Sequence, residues 1–204
     1  MGRLPREVPN EVILRGRIFN AAIPHTFGRP LKFVEQDSND NNLFHIIEKD
    51  DGFEGVIDPK TGKRVSPIVQ AVAEFKLRPA VVIQSDEWNQ KEKYPYIIVL
   101  PIASLYPEDL DDPDIKRMVE RNDLPYFHYL ASITGRESYI TITKPNRLNK
   151  NMIYMPKTQI ALNRATMEEI LKKFATCFEI KKIAQCDTCN KNCEKCEYKL
   201  AVNK

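Results

Sequence analysis

Glycine and histidine are scarce in this chain of 204 residues, which contains seven glycines and three histidines. The glycines form no Walker-type phosphate-binding run, and no serine lies in a nucleophile-elbow pattern. A ribonuclease that uses two histidines needs both in one cleft. His25 and His128 could meet, but nothing in the sequence requires it, and we expect each histidine to be a half-buried structural side chain. Any catalytic centre is therefore expected to use other residue types.

Long apolar runs are also missing. No stretch approaches the ~20 residues that cross a bilayer, and residues 1–10 lack the apolar segment of a secretory signal. The net charge is only +3 and the mean hydropathy is −0.45. Bulk charge therefore does not demand a nucleic-acid partner. We expect a cytoplasmic protein with no membrane association.

Cysteine is rare outside one short cluster near the C-terminus. Two Cys-x2-Cys pairs are separated by three residues, and each pair can place two thiolates on one metal ion. We expect a compact structural zinc knuckle, with an iron–sulfur cluster, or uncoordinated thiols and disulfides, as the alternatives. Four thiolates close the coordination sphere and leave no position for a reacting water. The predicted ligands are Cys186, Cys189, Cys193 and Cys196.

Two β-branched apolar runs, Arg78–Ile83 and Tyr96–Ser104, predict a pair of core strands joined by a charged connector. Pro79 is expected near the head of the first strand, where a missing N–H disturbs no ladder. In an antiparallel pair the start of one strand lies beside the end of the next. Arg78 and Ser104 are therefore expected to be neighbours. An arginine beside a hydroxyl suits the binding of a phosphate.

The other predicted elements are shorter or less regular, and Lys144–Asn151 is predicted as a basic, amide-rich loop. Ser66–Phe75 fits either a strand or a helix. Residues 24–42 are predicted to be irregular, because their polar run cannot bury apolar surface. The remaining predictions are strands at Glu11–Ala22, Phe127–Ile133 and Ser138–Thr143, a helix at Asp114–Arg121 capped by Asp112, and a helix within Thr158–Ile180 capped by Asn163 or Thr166.

The order of these segments resembles the MazF/PemK toxins of bacterial toxin–antitoxin systems. The matching segments are Arg15–Phe19, Arg78–Ile83, Pro101–Ser104, Glu137–Ile140 and Asn146–Lys150. The resemblance implies an α+β, mostly β fold: an SH3-like barrel with a C-terminal helix, here followed by the cysteine knuckle. The predicted domains are a flexible N-terminus at 1–11, a barrel at 12–180 with insertions at about 27–72 and 106–124, and a basic metal-binding tail at 181–204.

The resemblance also implies a function. Members of this family are usually homodimers that cut single-stranded RNA in a sequence-selective, metal-independent reaction and are neutralised by an antitoxin protein. The family arginine corresponds to Arg78, whereas the assisting threonine falls on Ala103, so Ser104 is the predicted hydroxyl. Glu74 is the predicted acidic group. Predicted RNA contacts are Arg15, Arg17, Arg136, Arg147 and Lys150.

Two alternatives belong to other functional classes. Because Ala103 replaces the threonine and the chain carries two insertions, a non-catalytic barrel that binds nucleic acid or a protein partner is the first. The second is an iron–sulfur redox sensor in which the barrel is only a scaffold. A brown protein that absorbs visible light would support the sensor, and a colourless zinc protein would exclude it.

Overall fold

The computed structural model describes residues 8–25, 30–40, 42–49, 55–65, 70–131 and 136–180. These residues form mostly β structure with three α-helices. The strands are β1 Arg17–Pro24, β2 Leu31–Gln36, β3 Phe44–Lys49, β4 Val56–Ile57, β5 Arg64–Val65, β6 Phe75–Val82, β7 Tyr96–Ser104, β8 Phe127–Leu130, β9 Ser138–Thr141, β10 Asn146–Asn149, β11 Ile153–Tyr154 and β12 Ile160–Ala161. The helices are α1 Asp86–Gln90, α2 Pro113–Arg121 and α3 Arg164–Cys177.

Eight strands form one antiparallel sheet with the order β11-β1-β6-β7-β9-β8. In addition, β10 pairs with the first half of β7, and β12 pairs with the start of β1. A single 3-10 turn, Lys150–Met152, links β10 to β11 on the far edge of β1. Because consecutive strands pair with opposite edges of the sheet, the sheet curls into a half-barrel. The mostly β architecture predicted from the sequence is thus confirmed.

The two faces of the curled sheet bury separate apolar cores. The inner face packs Phe19, Ala80 and Val99 with other inward side chains. The outer face packs Val81, Leu100 and Ile140 against α3. Alternate residues of β6 and β7 serve opposite cores, as the two-residue period of a strand requires. Both strands are therefore buried on two sides, which explains their nearly continuous β-branched sequence.

Helix α3 covers the outer face as the sequence predicts. The Asn163 side chain accepts a hydrogen bond from the Thr166 N–H at 2.9 Å, which confirms Asn163 as the N-cap. Met167 and Ile170 are buried, and Leu171 and Phe174 pack beside them. Cys177, at the end of this helix, packs against the same core, and its thiol donates to the Pro125 carbonyl at 3.1 Å.

Replacing Ile170 by alanine is expected to lower the free energy of unfolding by about 2–5 kcal/mol, because Ile170 is fully buried between α3 and the sheet. Urea denaturation at neutral pH measures the change. Lys172 is exposed on the same helix, so Lys172→Ala is the matched control, and its effect is expected to stay within about 0.5 kcal/mol. Equal effects of the two substitutions would mean that α3 does not cover the outer core.

Helix α2 belongs to the predicted second insertion and is also confirmed. The Asp112 carboxylate accepts from the Asp114 and Ile115 N–H groups at 2.8 and 3.3 Å, as predicted for this N-cap. Met118 is buried with Leu105 and Leu124 in a third, smaller core beside β8 and β9. The acidic segment that precedes α2 is thereby held next to the end of β7.

Several sequence predictions were wrong in detail. The Lys144–Asn151 segment is not a loop, because Asn146–Asn149 is a strand paired with β7, with Leu148 buried in the inner core. The chain before β1 forms a 3-10 turn at Asn10–Val12, so the first strand begins only at Arg17. The connector after β6 contains helix α1, which was not predicted.

The described part of the first insertion consists of two small hairpins, β2–β3 and β4–β5. The irregular structure predicted for residues 24–42 is wrong for β2, which also pairs at Phe33 with Ala71. Phe33 is buried, whereas the β3 face around Phe44 and Ile46 is exposed. Within the described residues, no helix has the length and apolar composition needed to cross a membrane.

Candidate functional site

Strands β6 and β7 separate at two prolines. Their last pair is Ala80 with Pro101, and Pro79 comes directly before Ala80. Neither proline has an N–H to donate, so the ladder between the two strands stops there. Beyond this point β6 pairs only with β1, and β7 pairs with β9. We call the opening between Arg78 on β6 and Ala103 on β7 the fork. Pro79 therefore lies inside β6 rather than at its head.

Arg78 lies on the β6 side of the fork. It is half-buried and pairs with Ala21 of β1. Continuing this register two residues further along each strand brings Arg78 level with Ala103, although the two strands no longer pair there. Side chains directly opposite each other share one face of a sheet. The predicted closeness of Arg78 to the end of β7 agrees with this register, and the position that faces Arg78 is Ala103.

Ser104 belongs to the other face of the sheet. The pairing of β7 with β9 is regular through its last residues: Ala103 lies opposite Tyr139, and Ser104 lies opposite Ser138. Successive side chains of a strand point to opposite faces. The Ser104 hydroxyl therefore points away from the face that carries Arg78. Its predicted catalytic role stays a prediction that this geometry does not favour.

Tyr139 supplies a hydroxyl on the same face as Arg78. It lies opposite Ala103 on one side and opposite Tyr129 on the other. Burial raises the pKa of the Tyr139 phenol, the negative charge of Asp109 raises it further, and the positive charge of Arg78 acts in the opposite direction. The phenol thus lies within the fields of both a cation and a carboxylate. It is a neutral hydrogen-bond donor at pH 7.

Acidic groups and a further arginine surround this end of β7. The Tyr129 hydroxyl donates to Glu137 Oε1 at 3.0 Å, and both burial and this hydrogen bond raise the pKa of Tyr129. The exposed Arg136 precedes Glu137 and is the one predicted RNA contact at this end. A cavity of about 370 Å³ opens here, lined by Leu105, Tyr106, Pro107, Leu110, Arg136 and Glu137.

Asp109 comes from the predicted second insertion. Its carboxylate accepts from the Tyr106 N–H at 2.7 Å, within the 3-10 turn Pro107–Asp111. Its charge acts on the Tyr139 phenol, so the insertion lies beside the fork. Most of the turn is exposed, but Asp109 is half-buried.

Glu74 lies apart from the fork. Four residues separate it from Arg78, about 13 Å along an extended chain. Its side chain is exposed, and its backbone carbonyl accepts from the His25 N–H at 2.7 Å. Among the described residues, no ion pair or side-chain hydrogen bond involves the Glu74 carboxylate. Its predicted role beside Arg78 also stays a prediction.

The other four predicted RNA contacts lie at the opposite end of the sheet. Arg17 is four residues from Ala21 along β1, and its guanidinium donates to Gln159 Oε1 at 3.4 Å. Arg15 donates through its backbone N–H to Asp86 at 2.5 Å. Arg147 lies over the Tyr96 ring, 4.1 Å from its centroid. These cations cannot reach a phosphate held at Arg78 and would contact a different part of a long RNA.

Lys150 is buried, with 9% of its surface exposed. Its ammonium donates to the Lys91 carbonyl at 3.0 Å, and burial lowers its pKa. Its backbone N–H donates to the Pro95 carbonyl at 2.8 Å. Lys150 therefore holds both ends of the segment between α1 and β7, and it is placed to position that segment rather than to contact a phosphate directly.

The histidines do not supply a base at the fork. His128 is 3% exposed beneath α3, where burial and the charge of Lys173 lower its pKa to about 4. Asn122 Nδ2 donates to the neutral ring at Nδ1 over 3.4 Å. Strand alternation places His128 on the face opposite Tyr129, whose neighbour Tyr139 belongs to the fork. The expectation of a buried structural histidine is confirmed for His128.

The stability of the fold is expected to fall as the pH drops from 6.5 towards 4. The pKa of His128 is lower in the folded protein than in the unfolded chain, so between these values the unfolded state binds more protons. The neutral His128 ring contributes its full stabilisation of the fold above pH 6.5. The free energy of unfolding falls by about 3 kcal/mol as the pH drops to 4. Urea denaturation of wild type and His128→Leu at pH 7 and pH 4.5 isolates this contribution. An identical pH dependence in both proteins would show that His128 titrates normally.

The four cysteines predicted to bind metal lie outside the described residues, so zinc and its iron–sulfur alternative both stay predictions. In the part of the chain that the structure describes, no group of three or more histidine, cysteine, aspartate or glutamate side chains could hold a metal ion. Metal analysis of the purified full chain tests the prediction. A colourless protein with one zinc ion is the expected result.

One known protein whose sequence is similar to this chain is named as a ribonuclease. No protein-family model matches the chain. A protein named probable ribonuclease FAU-1, from Saccharolobus solfataricus, is 25% identical over 129 residues, which are 63% of this chain. The chain spans only 27% of that protein. The match therefore concerns a part of a longer relative.

Solved structures similar to this chain are named endoribonucleases from Mycobacterial species. One, in complex with its cognate antitoxin, has a TM-score of 0.41 and 9% identity, covering 82% of this chain and 96% of the other. A second has a TM-score of 0.36 and 12% identity, covering 50% and 81%.

Tyr139 and Asp109 were not predicted as site residues. Each lies in a segment that the sequence analysis had marked for other reasons, one in a strand and one in an acidic insertion. Only the pairing of Ala103 with Tyr139 brings the phenol to Arg78. The sequence offered no local signal for either residue beyond the alanine at position 103, where the family resemblance implies a hydroxyl.

Proposed function

We propose that this protein is an endoribonuclease of the toxin type and that it cleaves single-stranded RNA at the fork. The observation that carries the proposal is that Arg78 lies just past the end of the β6–β7 ladder and that its positive charge acts on the phenol of Tyr139, which pairs with Ala103 of β7. The relative named as a probable ribonuclease supports the same reaction class. A cation and a neutral hydroxyl on one open surface can together bind one phosphate.

The proposed reaction is a transesterification. The 2′-hydroxyl of the RNA loses its proton to water and attacks the adjacent phosphorus. The bond to the 5′-oxygen breaks, that oxygen takes a proton from water, and the products end in a 2′,3′-cyclic phosphate and a 5′-hydroxyl. Negative charge on the phosphoryl oxygens increases in the transition state. The Arg78 guanidinium stabilises that charge, and the Tyr139 hydroxyl donates a hydrogen bond to the same group. In this proposal the chemistry uses no metal ion.

The test is the incubation of purified full-length protein with a long single-stranded RNA in EDTA. The expected result is discrete cleavage products with 5′-hydroxyl ends. The matched control is a DNA–RNA chimera in which a mapped cleavage site carries a 2′-deoxynucleotide on its 5′ side. Cutting of this chimera at the same bond would contradict attack by the 2′-hydroxyl. Absence of any cutting, with EDTA or with added metal, would contradict the proposed function.

A non-catalytic binding protein is the second candidate, and one observation favours it. Ala103 removes the hydroxyl expected at the fork, and Asp109 adds a negative charge beside it. Such a protein would bind RNA or a protein partner without cutting. RNA that is retained in a gel-shift assay but stays intact would support this alternative. An antitoxin partner and a homodimer stay predictions from the family resemblance.

A further inference from the structure

The connector between β6 and β7 places three aromatic rings at one surface. Trp88 of α1 is 44% exposed and Tyr96, at the start of β7, is 43% exposed. Tyr94 is half-buried between them in the sequence, and its ring centroid lies 4.2 Å from that of Trp88. We call Trp88, Tyr94 and Tyr96 the aromatic patch. None of its rings belongs to the three apolar cores of the described residues.

Each ring of the aromatic patch has a cation over it. Lys91 Nζ lies 5.6 Å from the Trp88 ring centroid, and Lys93 Nζ lies 5.2 Å from that of Tyr94. The Arg147 guanidinium lies 4.1 Å from the Tyr96 centroid. Lys91 is also paired with Glu87 at 2.5 Å. Among the described residues, Lys93 and Arg147 form no ion pair, so both can receive an anionic partner.

Hydrogen bonds fix the segment that carries the aromatic patch, between α1 and β7. Lys150 donates to the carbonyls of Lys91 and Pro95, at 3.0 and 2.8 Å. The buried Asn89 side chain donates to the Gln84 carbonyl at 2.9 Å and anchors α1. The Tyr94 N–H donates to the Lys91 carbonyl at 3.2 Å, and Pro95 restricts the Tyr94 backbone. The rings are thus preorganised rather than free to collapse onto the surface.

We propose that the aromatic patch binds unpaired bases of a single-stranded nucleic acid. Bases would stack on Trp88 and Tyr96, and Lys93 and Arg147 would contact the neighbouring phosphates. Exposed rings accompanied by unpaired cations match this ligand, because every base has an apolar face and every linkage carries a negative charge. An apolar protein segment would satisfy the rings but leave these cations without partners.

The patch extends the proposed function and rests on it for the identity of the bound strand as RNA. Seven residues of β7 separate Tyr96 from Ala103, which is about 23 Å. Because β7 itself is buried on both faces, a single strand that occupies both the patch and the fork must cover this distance over the neighbouring surface. Arg17 and Arg147, which lie too far from Arg78 to share its phosphate, would then contact a distal part of the same RNA.

Trp88 makes the proposal directly measurable, because it is the only tryptophan of the chain. Binding is measured in Arg78→Ala protein, so that cleavage does not interfere. A short single-stranded RNA is expected to quench Trp88 fluorescence, and a duplex of the same sequence is not. In anisotropy titrations with the labelled strand, Trp88→Ala and Tyr96→Ala are each expected to weaken binding by roughly 5–100-fold. Phe44→Ala, at an exposed ring on β3, is the control with no expected effect.

The outcomes separate this proposal from the proposed function. If wild-type protein cuts RNA but single strands leave Trp88 fluorescence unchanged, the patch proposal is wrong and the cleavage site stands. If single strands quench Trp88 and neither strand is cut, the patch stands and the endoribonuclease proposal fails. Equal affinity of Tyr96→Ala, Trp88→Ala and Phe44→Ala would overturn the patch proposal, provided that all three keep the wild-type circular dichroism spectrum.

Discussion

Arg78→Ala is expected to slow RNA cleavage by roughly 10²–10³-fold while leaving the melting temperature nearly unchanged. Arg78 is half-buried at an opening between strands, and it has no ion pair among the described residues whose loss would destabilise the fold. Its proposed contribution exists only when charge develops on the phosphate. Single-turnover cleavage of a short RNA at saturating protein concentration measures the rate of the chemical step.

Two further variants sharpen this result. Arg164→Ala removes an exposed arginine on α3 that pairs with Glu168, far in sequence from the fork, and is expected to cut at the wild-type rate. Arg78→Lys keeps the charge but loses the planar pair of donors that fits two phosphate oxygens. It is expected to recover only part of the activity. Wild-type cutting by Arg78→Ala would show that the chemistry lies elsewhere, even if the fold is right.

Tyr139→Phe is expected to slow cleavage by about 10–100-fold, because it removes the hydroxyl while keeping the ring that packs edge-on against Phe127. The loss of one donor from a charged transition state accounts for an effect of this size. Rates are compared in single-turnover assays, with the stability of each variant measured by thermal denaturation. The rate of Ser104→Ala is the matched comparison, because the sequence alone predicted the Ser104 hydroxyl as the donor.

The assignment of the donor to Tyr139 and its assignment to Ser104 predict opposite results. If Tyr139 is the donor, Ser104→Ala cuts at nearly the wild-type rate, because strand alternation directs Ser104 to the other face. Adding Ala103→Thr to Tyr139→Phe is then expected to restore part of the activity, since position 103 faces Arg78 across the fork. A large loss in Ser104→Ala together with full activity in Tyr139→Phe would return the assignment to Ser104.

The prediction of the fold succeeded where one local pattern sufficed. The runs Arg78–Ile83 and Tyr96–Ser104 are rich in β-branched residues, and both are core strands. Asp112 and Asn163 were recognised as N-caps from their neighbours alone, because a cap depends on three or four adjacent residues. The prediction failed for β10, whose amide-rich sequence resembles a loop. Its strand form depends on pairing with β7 and on the burial of Leu148.

The candidate site, like the fold, was predicted only where one local segment carried the signal. The sequence identified Arg78 and noted Ala103 at the threonine position, because both lie next to recognisable apolar runs. It could not show that Pro79 and Pro101 meet at the end of one ladder, since this depends on a register between segments about 20 residues apart. It also could not separate Arg136, at the fork, from Arg17 and Arg147 at the far end of the sheet.

The sequence by itself determined the core strands β6 and β7 and the capped helices α2 and α3, and it marked Arg78 as the group best suited to a phosphate. Those properties follow from side-chain branching, charge and hydrogen bonds between near neighbours. The tertiary structure decided that Ala103 and Tyr139 share a face of the sheet from which Ser104 points away, because one residue of strand register exchanges the two faces of a sheet. It also decided that Trp88, Tyr94 and Tyr96 stay at the surface with cations over them, since exposure depends on what packs against a ring and not on the ring itself.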